Sequence, residues 1–153
     1  MQTLTPFLWF DNNAEEAMKF YTSIFKKSKA GKVMRVGGPS GQVLSVTFNL
    51  LGQNFMALNG GPHFKFNEAV SLFVSCETQK EVDEYWNKLS KGGQKSRCGW
   101  LKDKYGLSWQ IIPTALGKLL YDKNPAKAAK VMEAMLKMSK IDIKKLQQAY
   151  AKG

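Results

Sequence analysis

Few side chains in this sequence could do chemistry, and they do not cluster. There is one histidine, His63, two cysteines, Cys76 and Cys98, and two acids, Glu68 and Asp103, nearest in sequence to the residues that read as a site. An imidazole is the usual general base at neutral pH. His63 sits in a Pro- and Phe-flanked loop, with no carboxylate assured as its neighbour, and a structural or exposed residue is the simpler reading. Cys76 has no nearby histidine to draw off its proton, so an inert buried thiol is the simpler reading. No CxxC is present, and the cysteines have no finger-like spacing to each other or to His63. A Cys76–Cys98 disulfide is conceivable, but two reduced thiols fit a cytosolic chain better. No Ser/His/Asp order can be served by the one histidine. What remains is Gln110, a polar residue inside the apolar strand LSWQIIP. It is either a satisfied amide or a residue facing a ligand.

The segment carrying Gln110, GWLKDKYGLSWQIIP over 99–113, reads as strand, Tyr105-Gly106 turn and strand. Alternation puts Leu107, Trp109 and Ile111 on one face, and Ser108, Gln110 and Ile112 on the other. Upstream, 3–10 reads as a strand, followed by a cap at Asp11-Asn12-Asn13. A helix starts at Ala14, with Ala14, Ala17, Met18, Tyr21 and Phe25 on its buried face. Glu15 and Glu16 suit its first turn, Lys26 and Lys27 its last, and Gly31 its end. Strands at 32–36 and 43–50 flank Gly37-Gly38-Pro39-Ser40-Gly41. That loop lies between strands and not before a helix, so it is a hairpin and not a phosphate cradle. A turn at Leu51-Gly52-Gln53 leads to a strand over 54–59. The plan then repeats: strand 69–76, a helix opened by a Thr78/Glu81 capping box with Val82, Tyr85, Trp86 and Leu89 inward, and strands at 95–98, 100–104 and 107–112.

Residue matches support the repeat. Phe20-Tyr21 recurs as Tyr85-Trp86, and Leu51-Gly52-Gln53-Asn54-Phe55 as Tyr105-Gly106-Leu107-Ser108-Trp109. A repeated unit that exposes one sheet face must pair to bury a core, and paired curved sheets leave a cleft. The predicted fold is α+β. It has two βαβββ modules, over 1–62 and 63–113, forming a curved mixed sheet, followed by a helical extension over 114–153. In that extension Thr114 caps 115–121, Pro125 opens a helix with Val131, Met132, Met135, Leu136 and Met138 inward, and Asp142 caps the last helix with an Ile141/Leu146 staple.

The 153 residues are 44% hydrophobic and 12% aromatic, outside the disordered class. No apolar run approaches a membrane span, and MQTLTPFLWF lacks the features of a signal peptide, so a cytoplasmic protein without membrane contact is expected. The net charge is +11. Residues 114–153 hold nine lysines against three acids and no arginine. Such a tail could bind an anionic surface, but without arginine or many aromatics a nucleic-acid partner is not expected.

The stretches PFLWFDNNAEEAMKFY, ALNGGPHFKFNEAVSLFVSC and GWLKDKYGLSWQIIP, with the tail PTALGKLL…KVMEAML…IDIKKL, resemble the PhnB-like branch of the vicinal oxygen chelate superfamily. This is the fold of glyoxalase I, bleomycin-resistance proteins and extradiol dioxygenases. Members of the branch often carry the label 3-demethylubiquinone-9 3-methyltransferase, although no strand–glycine loop–helix for S-adenosylmethionine is visible here. The resemblance implies a homodimer and four metal-ligand positions, which map onto Pro6, Met56, Ser71 and Gln110. None offers imidazole or carboxylate, so no metal and no cofactor are expected. Alternation and the resemblance together suggest a cleft lined by Phe7, Trp9, Asn59, Phe66, Ser71, Trp100 and Gln110, suited to a planar or amphipathic small molecule. Binding of such a molecule, as bleomycin-resistance proteins do by sequestration, is the expected function. An enzyme using His63 or Glu68 on a small organic substrate, or an interaction module built on the basic helices, are the alternatives.

Overall fold

The computed structural model describes residues 1–153 and resolves into two compact units, Met1–Phe66 and Asn67–Gly153. Both build the same plan, and each has its own four-stranded sheet.

In the first unit, β1 (Phe7–Phe10) leads through Asp11–Asn13 into α1 (Ala14–Ile24), then β2 (Ser28–Val36), β3 (Gln42–Leu50) and β4 (Gln53–Asn59). The sheet order is β1-β4-β3-β2, with β1 parallel to β4 and the other pairs antiparallel. Strand alternation divides it cleanly. Leu8, Phe10, Val46, Phe48, Phe55 and Ala57 are buried on the side of α1, whose Ala14, Ala17, Met18 and Tyr21 are buried in turn. Tyr21 lies against Phe48, and Phe48 stacks on Phe55. The opposite face carries Phe7, Trp9, Thr47 and Met56.

Local expectations for this unit need four corrections. The first strand begins at Phe7 and not at residue 3. The Asp11–Asn13 segment supplies no side-chain cap; the Ala14 N–H is instead taken by Asn59 Oδ1 at 2.8 Å, from a strand 45 residues away. Lys26 and Lys27 lie past the helix end, where the Ser28 hydroxyl donates to the carbonyls of Thr22 and Phe25. Gly31 ends no helix. It sits within β2 at an irregularity between Ala30 and Val33, so close to Thr47 that a Cβ there would collide with it. A glycine inside a strand marks this kind of close backbone approach. The Leu51-Gly52 turn does form, with both residues at positive φ.

In the second unit, β5 (Ser71–Cys76), α2 (Gln79–Ser90), β6 (Gln94–Lys95), β7 (Trp100–Lys102) and β8 (Ser108–Pro113) give the order β5-β8-β7-β6. The Thr78/Glu81 capping box is present in both directions. Val74, Cys76, Leu101, Trp109 and Ile111 are buried on the α2 side with Val82, Trp86 and Leu89, while Tyr85 is only half-buried. The strands are shorter than the apolar runs predict. Asp103 stops β7 by turning its carboxylate into the 103–107 loop, where it accepts from the N–H groups of Tyr105 and Leu107.

The helices α3 (Thr114–Leu120), α4 (Pro125–Leu136) and α5 (Ile143–Ala151) belong to this second unit. Leu116, Val131, Ile141 and Leu146 form their buried core, flanked by Ile112, Met135 and Met138. Pro125 opens α4 and Asp142 caps α5 as expected, and Asn124, a cap the sequence reading did not assign, accepts from the first turn of α4. Thr114 is the first helical residue and caps nothing. Met132 and Leu136 are exposed, so the inward methionine stripe is narrower than predicted. The segment after α4 is fastened to the sheet: Cys98 and Gly99 donate their N–H groups to the carbonyls of Met138 and Ser139 at 2.9 and 2.8 Å. Gln79 of α2 donates to the Ile141 carbonyl and accepts the Ile143 N–H, and Lys140 pairs with Asp83 at 2.9 Å.

Candidate functional site

The polar groups worth inspecting lie on the sheet faces turned away from α1 and α2. In the second unit, register puts Ser71 and Phe73 of β5, Ser108 and Gln110 of β8, and Trp100 and Lys102 of β7 on one face. Gln110 Nε2 donates to Ser71 Oγ at 2.9 Å. Trp100 stands directly across from Gln110, and Lys102 across from Ser108. Three expected lining residues, Ser71, Trp100 and Gln110, are therefore brought together.

Beside them lies a hollow of about 320 Å³, lined by Trp100, Lys102, Ser108, Glu68, Gln94 and Ser96, with Leu101 also at its wall. Lys102 Nζ is paired with the Glu68 carboxylate. That contact holds the Glu68 carboxyl below its ordinary range, first by hydrogen bonding and then by charge. Ser108 is fully buried, and its hydroxyl has no hydrogen-bond partner. Sequence reasoning passed over Ser108 and Lys102. Alternation from Gln110 places Ser108 on its face, but only the cross-strand register brings Lys102 beside it.

In the first unit, Phe7 and Trp9 share the open face; Phe7 is exposed, and the Trp9 indole donates to the Gly61 carbonyl at 3.0 Å, its ring edge-on to Phe64. Asn59 and Phe66 lie on the other side. Asn59 pairs across from Phe10, and its amide joins the Val43 carbonyl to the Ala14 N–H. Phe66 packs edge-on against Phe10. A separate hollow of about 370 Å³ lies beside Lys29, Thr47, Asn49, Asn54 and Met56.

The other chemically able residues have plain surroundings. His63 is exposed in its loop. Asp103 is 2% exposed and, besides its two backbone donors, accepts the Trp109 indole N–H at 2.9 Å, so it is fixed in place by its donors. Both cysteines are free. Burial, and then the Glu81 charge, pushes the Cys76 thiol up to about 12.

A divalent cation does not fit the four mapped positions. Pro6 offers only its carbonyl, which accepts the Met56 N–H at 3.0 Å. Met56 is a soft thioether, and Ser71 and Gln110 are bonded to each other. No three His, Cys, Asp or Glu side chains converge anywhere in the chain.

A family model described as 3-demethylubiquinone-9 3-methyltransferase matches residues 2–112. The chain belongs to that family. Its members share the vicinal oxygen chelate fold, and the solved structures agree. The PhnB protein from Bacillus cereus is 39% identical, over 74% of this chain and 100% of that one, with a TM-score of 0.68. Protein PA1353 from Pseudomonas aeruginosa is 16% identical, over 74% of this chain and 98% of its own, with a TM-score of 0.63. The fosfomycin resistance protein FosX from Listeria monocytogenes, solved with Mn(II) and sulfate, is 17% identical, over 71% of this chain and 88% of its own, at a TM-score of 0.52. The last two speak for the fold alone. No curated protein matches the chain. The family match stops at Ile112, so α3, α4 and α5 lie beyond it.

Proposed function

We propose that this chain is a metal-independent small-molecule-binding protein, acting as a homodimer, with its ligand on the open sheet faces. One observation carries the reading: the Gln110–Ser71 hydrogen bond. At two positions where metal-dependent relatives would need ionic donors, this chain has a neutral amide and a hydroxyl that satisfy each other. Around them are an aromatic wall, a few polar groups and a hollow, the composition of a ligand pocket. The family name suggests methyl transfer, and that chemistry would need a place for its nucleotide donor. The strand-to-helix links here, Asp11–Asn13 and Glu77–Thr78, contain no glycine to let a backbone approach a ligand. The dimer is supported by apolar side chains left exposed along the edge strand β2, Met34 and Val36 among them.

The test is a native mass spectrum with metal analysis on one freshly purified sample. A metal-free dimer, alone or with a small adduct, is the expected result. Stoichiometric zinc, nickel, iron or manganese would overturn it.

A second reading has its own observation. Lys130, Lys137, Lys145 and Lys152 border a groove of about 550 Å³ between α4 and α5, with Glu133 the one acid there. As an interaction surface it would take a polyanion. Binding that falls steeply with salt supports this reading, and binding indifferent to salt removes it.

A further inference from the structure

The hollow over Ser108 has two features that ordinary packing does not explain. The first is the Ser108 hydroxyl, fully buried and without a partner. Native proteins keep few such groups, because each gives up its hydration without a hydrogen bond in return. The second is Lys102, which stands across the β7–β8 ladder from Ser108 on the same face. Side chains so paired start about 5 Å apart at Cβ, close enough for ammonium and hydroxyl to reach one shared group. Within this chain the ammonium is held by Glu68, a residue 57% exposed on the segment before β5. Nothing buries that carboxylate in place.

We propose that this hollow binds a planar carboxylic acid, with its ring against Trp100 and its carboxylate between Lys102 and Ser108, where it displaces Glu68. The inference rests on the small-molecule reading above and adds the ligand's class. The chemistry selects a carboxylate over a phosphate. One ammonium matches one negative charge, and a dianion would be left uncompensated beside Glu68. No arginine and no helix N-terminus lines the hollow to take the second charge. A volume of about 320 Å³ suits a one- or two-ring acid. Trp100 supplies the flat apolar wall, and Gln94 and Ser96 a polar edge for ring substituents. Glu68 then acts as an internal stand-in, keeping Lys102 neutralised until a ligand carboxylate takes its place.

The experiment is an NMR titration of the full chain with sodium benzoate, and with benzamide as its neutral counterpart, following the Trp100 indole and the Ser108 amide. Benzoate should shift both signals and saturate, and benzamide should bind at least several-fold more weakly. Glu68→Gln removes the competing charge and should tighten benzoate binding. Lys102→Met and Ser108→Ala should each weaken it; Ser108→Ala deletes an unsatisfied hydroxyl and should leave folding intact, which guards against a trivial loss. Equal binding of both probes would overturn the carboxylate assignment while leaving a small-molecule site. Benzoate shifts unmoved by either substitution would overturn its location. Silence from both probes would overturn the inference outright, and a copurified adduct in the mass spectrum would still uphold the broader reading.

Discussion

Asp103 shows how a residue that looks catalytic in sequence can be structural. Its carboxylate collects two backbone N–H groups and the Trp109 indole in a setting that is 2% exposed. Asp103→Ala should therefore lower stability by about 3 kcal/mol, since each stranded buried donor costs roughly 1–3 kcal/mol. Urea unfolding of the two proteins measures the loss. Cys76 gives a pH prediction. Its thiol stays protonated in the folded chain up to about 12, whereas the unfolded thiol titrates near its ordinary 9.0. Below that value folded and unfolded states bind the same proton. Above it the unfolded state loses its proton first, so stability falls as pH rises from about 9 towards 12. Burial, and then the Glu81 and Glu84 charges, also raise the Tyr85 phenol, which adds in the same direction. Urea midpoints taken at pH 8 and pH 10 should separate less in Cys76→Ala than in the native chain. Of the candidate site, sequence patterning put Gln110, Ser71 and Trp100 on one face, where the sheet register also brings them together. It missed the Lys102–Ser108 pairing, which depends on strand register. It also set Asn59 and Phe66 among the cleft residues, although both face the α1 side.

Elements were legible where their signals are local. The Thr78/Glu81 box, Pro125 in the first turn of α4 and the Asp142 cap all depend on groups within a few residues of themselves. The start of α1 at Ala14 was legible from its apolar spacing, but its cap was not, because that cap is Asn59, brought back by the sheet. Gly31 misled for the same reason: the neighbour that demands a glycine, Thr47, is on another strand. The junction of α2 with α5 is likewise tertiary. Gln79 uses both ends of its amide there, donating to the Ile141 carbonyl and Asp83 and accepting from Ile143. Gln79→Ala should cost about 2 kcal/mol, from two or three lost hydrogen bonds at roughly 1 kcal/mol each. Hydrogen exchange should speed first at the beginning of α5. A uniform change across the chain would place the effect elsewhere.

At the scale of the molecule, three helices outside the family match are built into the second unit by backbone hydrogen bonds as well as by a core. Deleting 114–153 should strip exchange protection from the amides of 67–113 and leave those of 1–66 largely as they were; mass-resolved hydrogen exchange reads both at once. No helix is long or apolar enough to cross a membrane. The Gln110–Ser71 contact carries an engineering consequence. Two side chains whose polar atoms already meet at 2.9 Å occupy positions where a chelating pair could be installed. Gln110→Glu with Ser71→His would swap an amide and a hydroxyl for a carboxylate and an imidazole on an unchanged backbone. Zinc should then raise the melting temperature of the double variant and leave the native chain untouched. Each of the two substitutions can also be made alone, so that the contribution of each ligand to zinc binding is read separately.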